Sequence, residues 1–239
     1  MQTGKMTCDL PVGIRMIEDI DDVFAAAAVL SEVWGGDRTG MPPNLLRALA
    51  HSGNYAAALF DGDRMVGASV AFFAAPDERS MHSHITGILP SHRGRGLGRM
   101  VKDHQREWAL GRGVTRITWT FDPLVARNAH LNLAVLGARA VSYLVDHYGP
   151  MDDGVNRGDE SDRILVSWDL TAPAVTPAPA AVAATVAVPE DIETLRREHP
   201  EEAARWRHRL RDELAAHADA GLVIGGFDAA RGGYLLVRA

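Results

Sequence analysis

Three glycines and three arginines are concentrated near the middle of the chain, where together they could bind an anion. The segment reads Arg93, Gly94, Arg95, Gly96, Leu97, Gly98 and Arg99. It lies between an apolar segment that is typical of a strand and an amphipathic segment that is typical of a helix. A glycine-rich turn at the start of a helix directs unpaired N–H groups into one concavity, where the helix dipole and the arginines add positive potential. The pattern therefore predicts a site for a phosphorylated ligand.

The spacing of the glycines excludes two common nucleotide loops. A Gly-x-Gly-x-x-Gly fingerprint would place its third glycine at Arg99 or Val101, depending on which glycine begins it. A P-loop requires Gly-Lys-Ser/Thr after four spacer residues, and this segment has no such run.

Two histidines precede the loop in alternation, as His82-Ser83-His84. Side chains alternate along a strand, so both imidazoles are expected on one face. Histidine titrates near neutral pH, and the pair could accept and relay a proton. The alternative is that one or both are packed core histidines. Zinc binding is not expected, because only His92 or a nearby carboxylate could complete the site.

The elements that position these residues follow from periodicity and turn residues. In chain order, they are predicted as a strand over 12–17, helices over 19–33 and 44–51, a hairpin of strands over 55–60 and 65–73, a strand over 81–89, a helix ending near 111, a strand over 116–124, a helix from 128 to 138, a strand over 140–148, a polar loop over 151–162 and a strand over 163–170. This order predicts an α/β fold in which a mixed sheet is flanked by helices.

The remainder of the chain is predicted to form a second unit. Residues 171–185 are almost entirely Ala, Pro, Val and Thr, which is typical of an extended linker. Residues 186–239 are predicted to form a small α/β module with two helices and a hairpin. Its second helix carries an apolar stripe of Ala203, Trp206, Leu210, Leu214 and His217. The stripe needs a partner surface, either on residues 1–170 or on a second copy of the chain, so a homodimer is one of two expected arrangements.

Composition narrows the class of protein. The 239 residues are 46% hydrophobic and 23% charged, as in ordinary globular proteins, and the net charge of −6 argues against nucleic acid as the main partner. Cys8 is the only cysteine, which excludes an internal disulfide framework. No apolar run approaches the roughly 18 residues of a membrane span. The expected location is the cytoplasm.

The spacing Arg93-x-x-Gly96-x-Gly98, between a strand and a helix, resembles the pyrophosphate loop of the GNAT superfamily of acyl-coenzyme A-dependent N-acyltransferases. The likeness extends to the later strand, to Asn128 in the next helix, and to Leu136-Gly137-Ala138 at its end. It covers residues 12 to 170, so residues 1–170 are expected to form a GNAT acyltransferase domain. The sequence segments within 118–133 and 156–163 also resemble those of a less characterised GNAT subgroup.

The resemblance implies roles for individual residues. Acetyl-CoA or another acyl-CoA would be held by Thr86, Gly87, Ile88, Asn128 and the loop residues Arg93 to Arg99. His84, with His82 behind it, would take the amine proton. The tyrosine that many relatives use to protonate the leaving thiolate falls at Leu133, so a tyrosine on the following strand or water must replace it, with Tyr143 as the first candidate and Tyr148 as the second.

The acceptor side is expected to include Trp119, Phe121 and Asp122 on the fifth strand, although the two aromatic residues could equally belong to the core. It is also expected to include Asn156 and Arg157 in the later loop and Arg163 at the start of the strand that follows. Because an arginine can bind a carboxylate with two parallel hydrogen bonds, the expected acceptor is a small amine such as an amino acid. The predicted reaction transfers an acetyl or succinyl group from acyl-CoA to that amine. The alternative is a non-catalytic protein that binds acyl-CoA or scaffolds a partner, which the missing tyrosine would permit.

Overall fold

The structure is a computed structural model that describes residues 12–35, 41–151, 159–174 and 178–239. Its strands are β1 Gly13–Met16, β2 Tyr55–Asp61, β3 Arg64–Phe73, β4 Ser80–Ile88, β5 Arg116–Phe121, β6 Arg139–Leu144, β7 Arg163–Asp169, β8 Ala184–Ala187, β9 Leu222–Asp228 and β10 Gly233–Arg238. Its helices are α1 Ile20–Trp34, α2 Pro43–His51, α3 Leu97–Leu110, α4 Ala126–Ala129, which continues as a π-helix over His130–Val135, α5 Ile192–Glu198 and α6 Pro200–Asp219.

A seven-stranded mixed sheet forms the first domain, in the order β1-β2-β3-β4-β5-β7-β6. All neighbouring strands are antiparallel except β4 and β5, which are parallel. The predicted α/β class with a mixed sheet flanked by helices is therefore confirmed. Among the described residues, no helix is both long and apolar enough to cross a membrane.

Local sequence explains where these elements begin and end. The Asp19 carboxylate accepts a hydrogen bond from Asp22 N at 2.8 Å and caps α1, and Gly35 ends the helix at a φ of 69°. The predicted hairpin turn joins β2 to β3, with Gly62 at a φ of 59°.

The sheet separates two hydrophobic cores. Val23, Leu30 and Val70 belong to the core between the sheet and α1. The other core contains Met81 and Ile117 and continues into the C-terminal module. In each core, buried aliphatic side chains of the sheet pack against those of the helices, and these contacts hold the helices on the sheet.

The C-terminal module is a three-stranded sheet, β8-β10-β9, with α5 and α6. Ala203, Leu210 and Leu214 from the predicted α6 stripe are buried in the same core as Val166 of β7. Tyr234 is buried and donates a hydrogen bond of 2.6 Å to the Pro123 carbonyl. The stripe therefore packs within the chain, on the first domain.

Several boundaries differ from the prediction. β8 begins at Ala184, inside the predicted 171–185 linker, because Ala184 to Ala187 pair with β10. β5 ends at Phe121, since the Asp122 side chain turns the backbone by accepting from Leu124 N at 3.0 Å. β6 ends at Leu144, and Asp146 then adopts a φ of 44°. Arg207 lies on the buried face of α6, although the predicted stripe contained only apolar residues and a histidine.

Candidate active site

β4 and β5 are paired along only part of their length, which leaves a gap between them. Their parallel pairing runs from Ser80↔Arg116 to His82↔Thr118 and ends there. On its other edge β4 stays paired with β3 as far as Ile88. Among the described strands, none pairs with the gap-facing edge of Thr86, Gly87 and Ile88. An extended ligand can use that backbone edge as an added strand would.

The glycine-rich loop opens next to this gap. Gly94 and Gly96 both have a φ of 77°, a conformation that favours glycine. Gly96 is the N-cap of α3 without a side-chain cap, and the helix closes its first turn through Met100 N to Gly96 O at 3.2 Å. The N–H groups of the three residues after Gly96 thus have no acceptor within the helix. A Cβ on Gly96 would meet no atom within 4 Å, so the loop has open space for an anion.

The three loop arginines are held around this space by different partners. Arg93 Nε donates to the Ile88 carbonyl at 3.3 Å, and Arg95 Nη1 donates to Asp61 at 3.3 Å. Arg99 lies 3.5 Å from Asp103 within α3 and is otherwise exposed. Exposed pairs of this kind are weak, so the guanidinium groups remain available to a phosphate ligand.

A contact between His92 and Asp61, which the sequence did not indicate, connects the loop to the β2–β3 hairpin. The buried His92 ring lies 3.0 Å from an Asp61 carboxylate oxygen through Nε2 and 2.9 Å from Ser91 Oγ through Nδ1. Hydrogen bonds from His92 and Arg95 lower the Asp61 pKa below its usual value. Only the fold brings Asp61, 31 residues away, to this histidine.

The second helical segment borders the loop from the other side. A Cβ on Gly98 would lie 3.3 Å from Leu131, which belongs to the π-helix that continues α4. Asn128 is half-buried on the α4 turn that precedes it. Arg127 binds Glu193 of α5 with Nη2 at 2.8 Å from Oε1, so the C-terminal module contacts the same turn. Gly98 and Asn128 therefore lie on two helices that meet beside the gap.

The histidine pair lies where β4 separates from β5. His82 and His84 both contact Phe72, with ring centroids 5.4 and 5.8 Å from it, so they share one face of the sheet. The register shifts between Ser83 and Ile85, and His84 is the extra residue. His82 Nδ1 lies 3.3 Å from Thr118 Oγ1. Burial lowers the pKa of both histidines, and neighbouring charges lower that of His82 further, so both can act as bases near neutral pH.

The two tyrosines near the site have different environments. The Tyr143 hydroxyl donates to Asp162 at 2.5 Å and packs against the core that contains the C-terminal module. Burial, and then the Asp162 hydrogen bond, raise the Tyr143 pKa. Tyr148 instead lies 2.9 Å from Thr120 Oγ1 and contacts His147, whose charge lowers the pKa of His82. Tyr148 is therefore connected to the histidine side through Thr120 and His147, whereas the role expected of Tyr143 stays a prediction.

Lys102 of α3 is buried at the point where β4 and β5 separate. Nζ donates to Ser83 Oγ at 2.8 Å and to Gln105 Oε1 at 3.2 Å, and lies 3.9 Å from the Trp119 ring centroid. None of these partners carries a negative charge. Burial therefore lowers the Lys102 pKa to about 7. Sequence periodicity did not single out this residue, because a lysine on a helix usually faces solvent.

The lowered pKa predicts a pH-dependent stability. Between about pH 7 and the usual pKa of lysine, the unfolded chain holds a proton on Lys102 that the folded chain lacks. Unfolding then takes up a proton, so the parent should gain stability over Lys102→Met as the pH rises, by at most ~1.4 kcal/mol per pH unit. Urea unfolding of both proteins at pH 7 and pH 9 measures this change. A stability difference that does not vary with pH would contradict the lowered pKa.

A buried ion cluster joins the end of β5 to the C-terminal module. Asp122 accepts from Arg207 Nη1 at 2.9 Å and is also bound by Arg196. Asp159 accepts from Arg207 Nη2 at 2.7 Å and from Arg196 Nε at 2.8 Å. The arginine charges outweigh burial and lower the Asp122 pKa. Arg211 similarly binds Asp162 at 2.7 Å. The module thus fixes both the end of β5 and the residues that lead into β7.

The residues predicted for the acceptor side are not all in one place. Trp119 is buried beside Lys102 and meets Trp168 edge-on at 6.2 Å, and Asp122 is enclosed in the ion cluster. Arg163 is 6% exposed, donates to the Asp162 carbonyl at 2.8 Å and lies 5.4 Å from the Tyr148 ring centroid. Asn156 and Arg157 lie outside the described residues.

The parted strands, the uncapped glycine loop and the adjoining helices define the fold of an acyl-CoA-dependent acetyltransferase. Residues 20–133 match the model of the acetyltransferase (GNAT) family. This part of the chain is therefore a GNAT acetyltransferase domain, as its sequence predicted. A comparison with curated proteins finds no match.

Solved structures of acetyltransferases share the fold of this domain. The ribosomal-protein-S18-alanine N-acetyltransferase from Escherichia coli aligns with a TM-score of 0.55 and 14% identity, covering 70% of this chain and 99% of its own. An N-acetyltransferase from Staphylococcus aureus Mu50 has a TM-score of 0.56 and 12% identity over 68% of this chain and 100% of its own. A putative acetyltransferase from Salmonella typhimurium, solved with its cofactor acetyl-CoA, has a TM-score of 0.53 and 16% identity over 71% of this chain and 99% of its own.

Proposed function

We propose that this protein transfers an acyl group from acetyl-CoA, or a related acyl-CoA such as succinyl-CoA, to the amine of a small molecule. The observation that carries the proposal is the gap between β4 and β5, which has an anion site at one end and two histidines at the other. The free N–H groups of α3 and the arginines of the loop suit the pyrophosphate of the coenzyme. Asn128 would border the coenzyme from α4.

The backbone of Thr86, Gly87 and Ile88 would hold the pantetheine arm along β4. This arm is a chain of amides and methylenes, so it can pair with a strand edge and fill a narrow gap. A Cβ on Gly87 would lie 2.7 Å from Trp34 and 3.0 Å from Leu30, which shows how closely α1 supports β4 there. β4 would thus be a rigid support for the coenzyme, and a rigid support favours a fixed position of the thioester.

The histidine pair supports amine deprotonation. An ammonium group must lose a proton before its nitrogen can attack a thioester carbon, and unprotonated histidines are suited to accept it. His84 is the more exposed of the two on the bulge, although its ring is partly covered by Phe72, whereas His82 is half-buried behind it against Thr118. His84 would receive the proton directly or through water, and His82 would pass it on.

His84→Ala is expected to lower kcat roughly 100-fold while leaving the Kd for CoA nearly unchanged. In the parent, the rate should fall on acidification as a group with a pKa below 6.5 gains a proton, because burial lowers the His84 pKa. That acid limb should be absent from the variant. His51→Ala, at the exposed end of α2, is the control. An unchanged rate in the double variant lacking both His82 and His84 would show that the amine loses its proton to water.

The acceptor is proposed to carry a carboxylate, as a small amino acid does. Arg163 supports this choice, because its guanidinium lies beside Tyr148 on the histidine side. Its burial and its bond to the Asp162 carbonyl set its orientation. Arg157 is the second candidate for contact with the carboxylate. A location in the cytoplasm and assembly as a homodimer remain predictions from the sequence.

Thiol release from acetyl-CoA and succinyl-CoA, with paired amino acids and amino acid amides, tests the acceptor. We expect kcat/KM to favour the carboxylate by at least tenfold, about 1.4 kcal/mol. Arg163→Lys and Arg157→Ala should reduce that preference, since lysine cannot make the bidentate contact. Arg116→Lys is the control, because Arg116 lies at the start of β5 and pairs with Glu78, and it should preserve the preference for the carboxylate. Equal rates with and without the carboxylate, or a preference for polycations, would contradict the choice of acceptor.

The second candidate function is acyl-CoA binding without turnover. Leu133 favours it, because this buried side chain occupies the position of the acid in many relatives and cannot donate a proton. A protein of this kind would bind CoA but release no thiol with any amine. The thiolate is a good leaving group, so the leucine alone does not exclude catalysis.

A further inference from the structure

The position of Lys102 is defined by the two strands that form the gap. The last β4–β5 pair is His82↔Thr118, and the next residues along the strands are Ser83 and Trp119. The Lys102 ammonium contacts both, at 2.8 Å from Ser83 Oγ and 3.9 Å from the Trp119 ring centroid. Lys102 therefore bridges the two strands where they begin to part. Its partner Ser83 adjoins His84 in sequence, but Lys102 itself belongs to α3.

The surroundings of Lys102 are poor ones for a purely structural cation. Lys102 is 6% exposed, and its described partners are a hydroxyl, an amide oxygen and an aromatic face. A buried charge without a counter-ion costs stability, and an apolar side chain of similar length would fill the space without that cost. The Nε2 atom of the fully buried Gln105 also has no partner among the described residues. The Gln105 amide nitrogen, beside Lys102, is thus left available to a ligand at this point.

The identity of the basic residue is also informative. Lys5 and Lys102 are the only lysines in the sequence, and the other cationic side chains are arginines and histidines. An arginine cannot release its proton at physiological pH, whereas a buried lysine can. Burial lowers the Lys102 pKa to about 7, close to the roughly 8.5 of a free thiol. Proton transfer between such a pair is nearly balanced in energy.

We propose that Lys102 stabilises and protonates the thiolate that leaves when the acyl group is transferred. The inference rests on the proposed function and supplies the acid that Leu133 cannot provide. The amine nitrogen bonds to the thioester carbon, the carbon–sulfur bond breaks, and its electron pair remains on sulfur. A proton then moves from the Lys102 ammonium to the sulfur, giving free CoA. The neutral lysine regains a proton from the one released by the amine or from solvent.

The first test measures the thiol itself, without turnover. The ultraviolet absorbance of the thiolate of CoA bound to the protein is followed as a function of pH. A thiolate beside Lys102 favours the protonated lysine, and the ammonium in turn favours the thiolate, so the bound thiol should be at least tenfold more acidic in the parent than in Lys102→Met. Lys102→Arg keeps the charge and should keep the lowered thiol pKa. Burial and nearby charges, which include Lys102, lower the His82 pKa. The comparison is therefore repeated with His82→Gln added to both proteins, so that the titration of His82 does not contribute to the measured difference.

The second test compares two donors in single-turnover experiments. With acetyl-CoA, Lys102→Met should react about 100-fold more slowly than the parent. With the selenium analogue of acetyl-CoA the loss should nearly disappear, because a selenolate needs no proton to leave. Lys102→Arg should be slow with acetyl-CoA and normal with the analogue. Circular dichroism and CoA affinity establish that each variant is folded. If Lys102→Met does not fold, Ser83→Ala replaces it in the comparison, because this substitution removes one hydrogen-bond acceptor of Lys102.

The proposal would be overturned if Lys102→Met lost the same factor in rate with both donors, or if the pKa of the bound thiol did not depend on Lys102. A stable acyl group on Lys102 itself would also overturn it. These outcomes differ from a failure of the proposed function. In that case the parent would release no thiol with any amine, although the titration of bound CoA would still report whether Lys102 lies beside the sulfur.

Discussion

Replacement of Arg207 by methionine is expected to lower the free energy of unfolding by about 3–5 kcal/mol, the usual cost of removing one partner from a buried ion pair. Arg207 is 1% exposed and binds both Asp122 and Asp159. Without it, Arg196 is the arginine that still binds both buried carboxylates, and the charge of Arg163 acts only on Asp122 from a distance. The loss should appear in urea unfolding followed by circular dichroism, and it should extend to the first domain because Asp122 ends β5.

Arg209→Met on the same helix is the matched control. Arg209 pairs with Glu213 on the exposed side of α6, at 2.8 Å, and its removal should cost no more than about 0.5 kcal/mol. If the two variants lost similar amounts of stability, the cluster would not be what joins the module to the domain.

Gly96→Asp is expected to reduce the affinity for CoA at least tenfold, or about 1.4 kcal/mol. The substitution places a carboxylate at the uncapped start of α3, where its charge repels the pyrophosphate and its oxygen competes for the free N–H groups. It also strains the backbone, because Gly96 has a φ of 77°. Isothermal titration calorimetry with CoA measures the change.

Gly113→Asp separates strain from charge. Gly113 follows the other end of α3, has a φ of 75° and, like Gly96, has no atom within 4 Å of a Cβ built on it. The two variants therefore carry similar backbone strain, but only Gly96→Asp introduces charge at the loop. Equal affinities for CoA in both variants would place the pyrophosphate elsewhere.

The order of elements and the family could be predicted from sequence because the signals are local. The loop is marked by Gly94, Gly96 and Gly98, and the hairpin by Asp61-Gly62-Asp63. Apolar periodicity located the helices and most strands. The same periodicity missed β8, since alanines and a threonine in a proline-rich segment acquire a strand conformation only through pairing with β10.

The chemistry of the site depends on contacts that sequence spacing does not reveal. Asp122 meets Arg207 across 85 residues, so an aspartate that was predicted to border the acceptor lies in an ion cluster. Lys102 is buried because α3 packs it against Ser83 of β4 and Trp119 of β5, and no local pattern distinguishes it from a solvated lysine. Tyr148 contacts Thr120 of β5 from beyond the end of β6 at Leu144, a boundary that pattern reasoning places poorly.

The most direct test of the account is whether the intact protein couples thiol release to acylation of an amine. The protein is incubated with acetyl-CoA and a panel of small amines, and both free CoA and N-acetyl product are quantified by mass spectrometry. We expect amine-dependent release of CoA in a one-to-one ratio with product, and a rate at least tenfold lower in Gly96→Asp at acetyl-CoA concentrations that saturate neither protein. Tight CoA binding with no product from any amine would contradict catalysis, and absence of CoA binding by the parent would contradict the whole account.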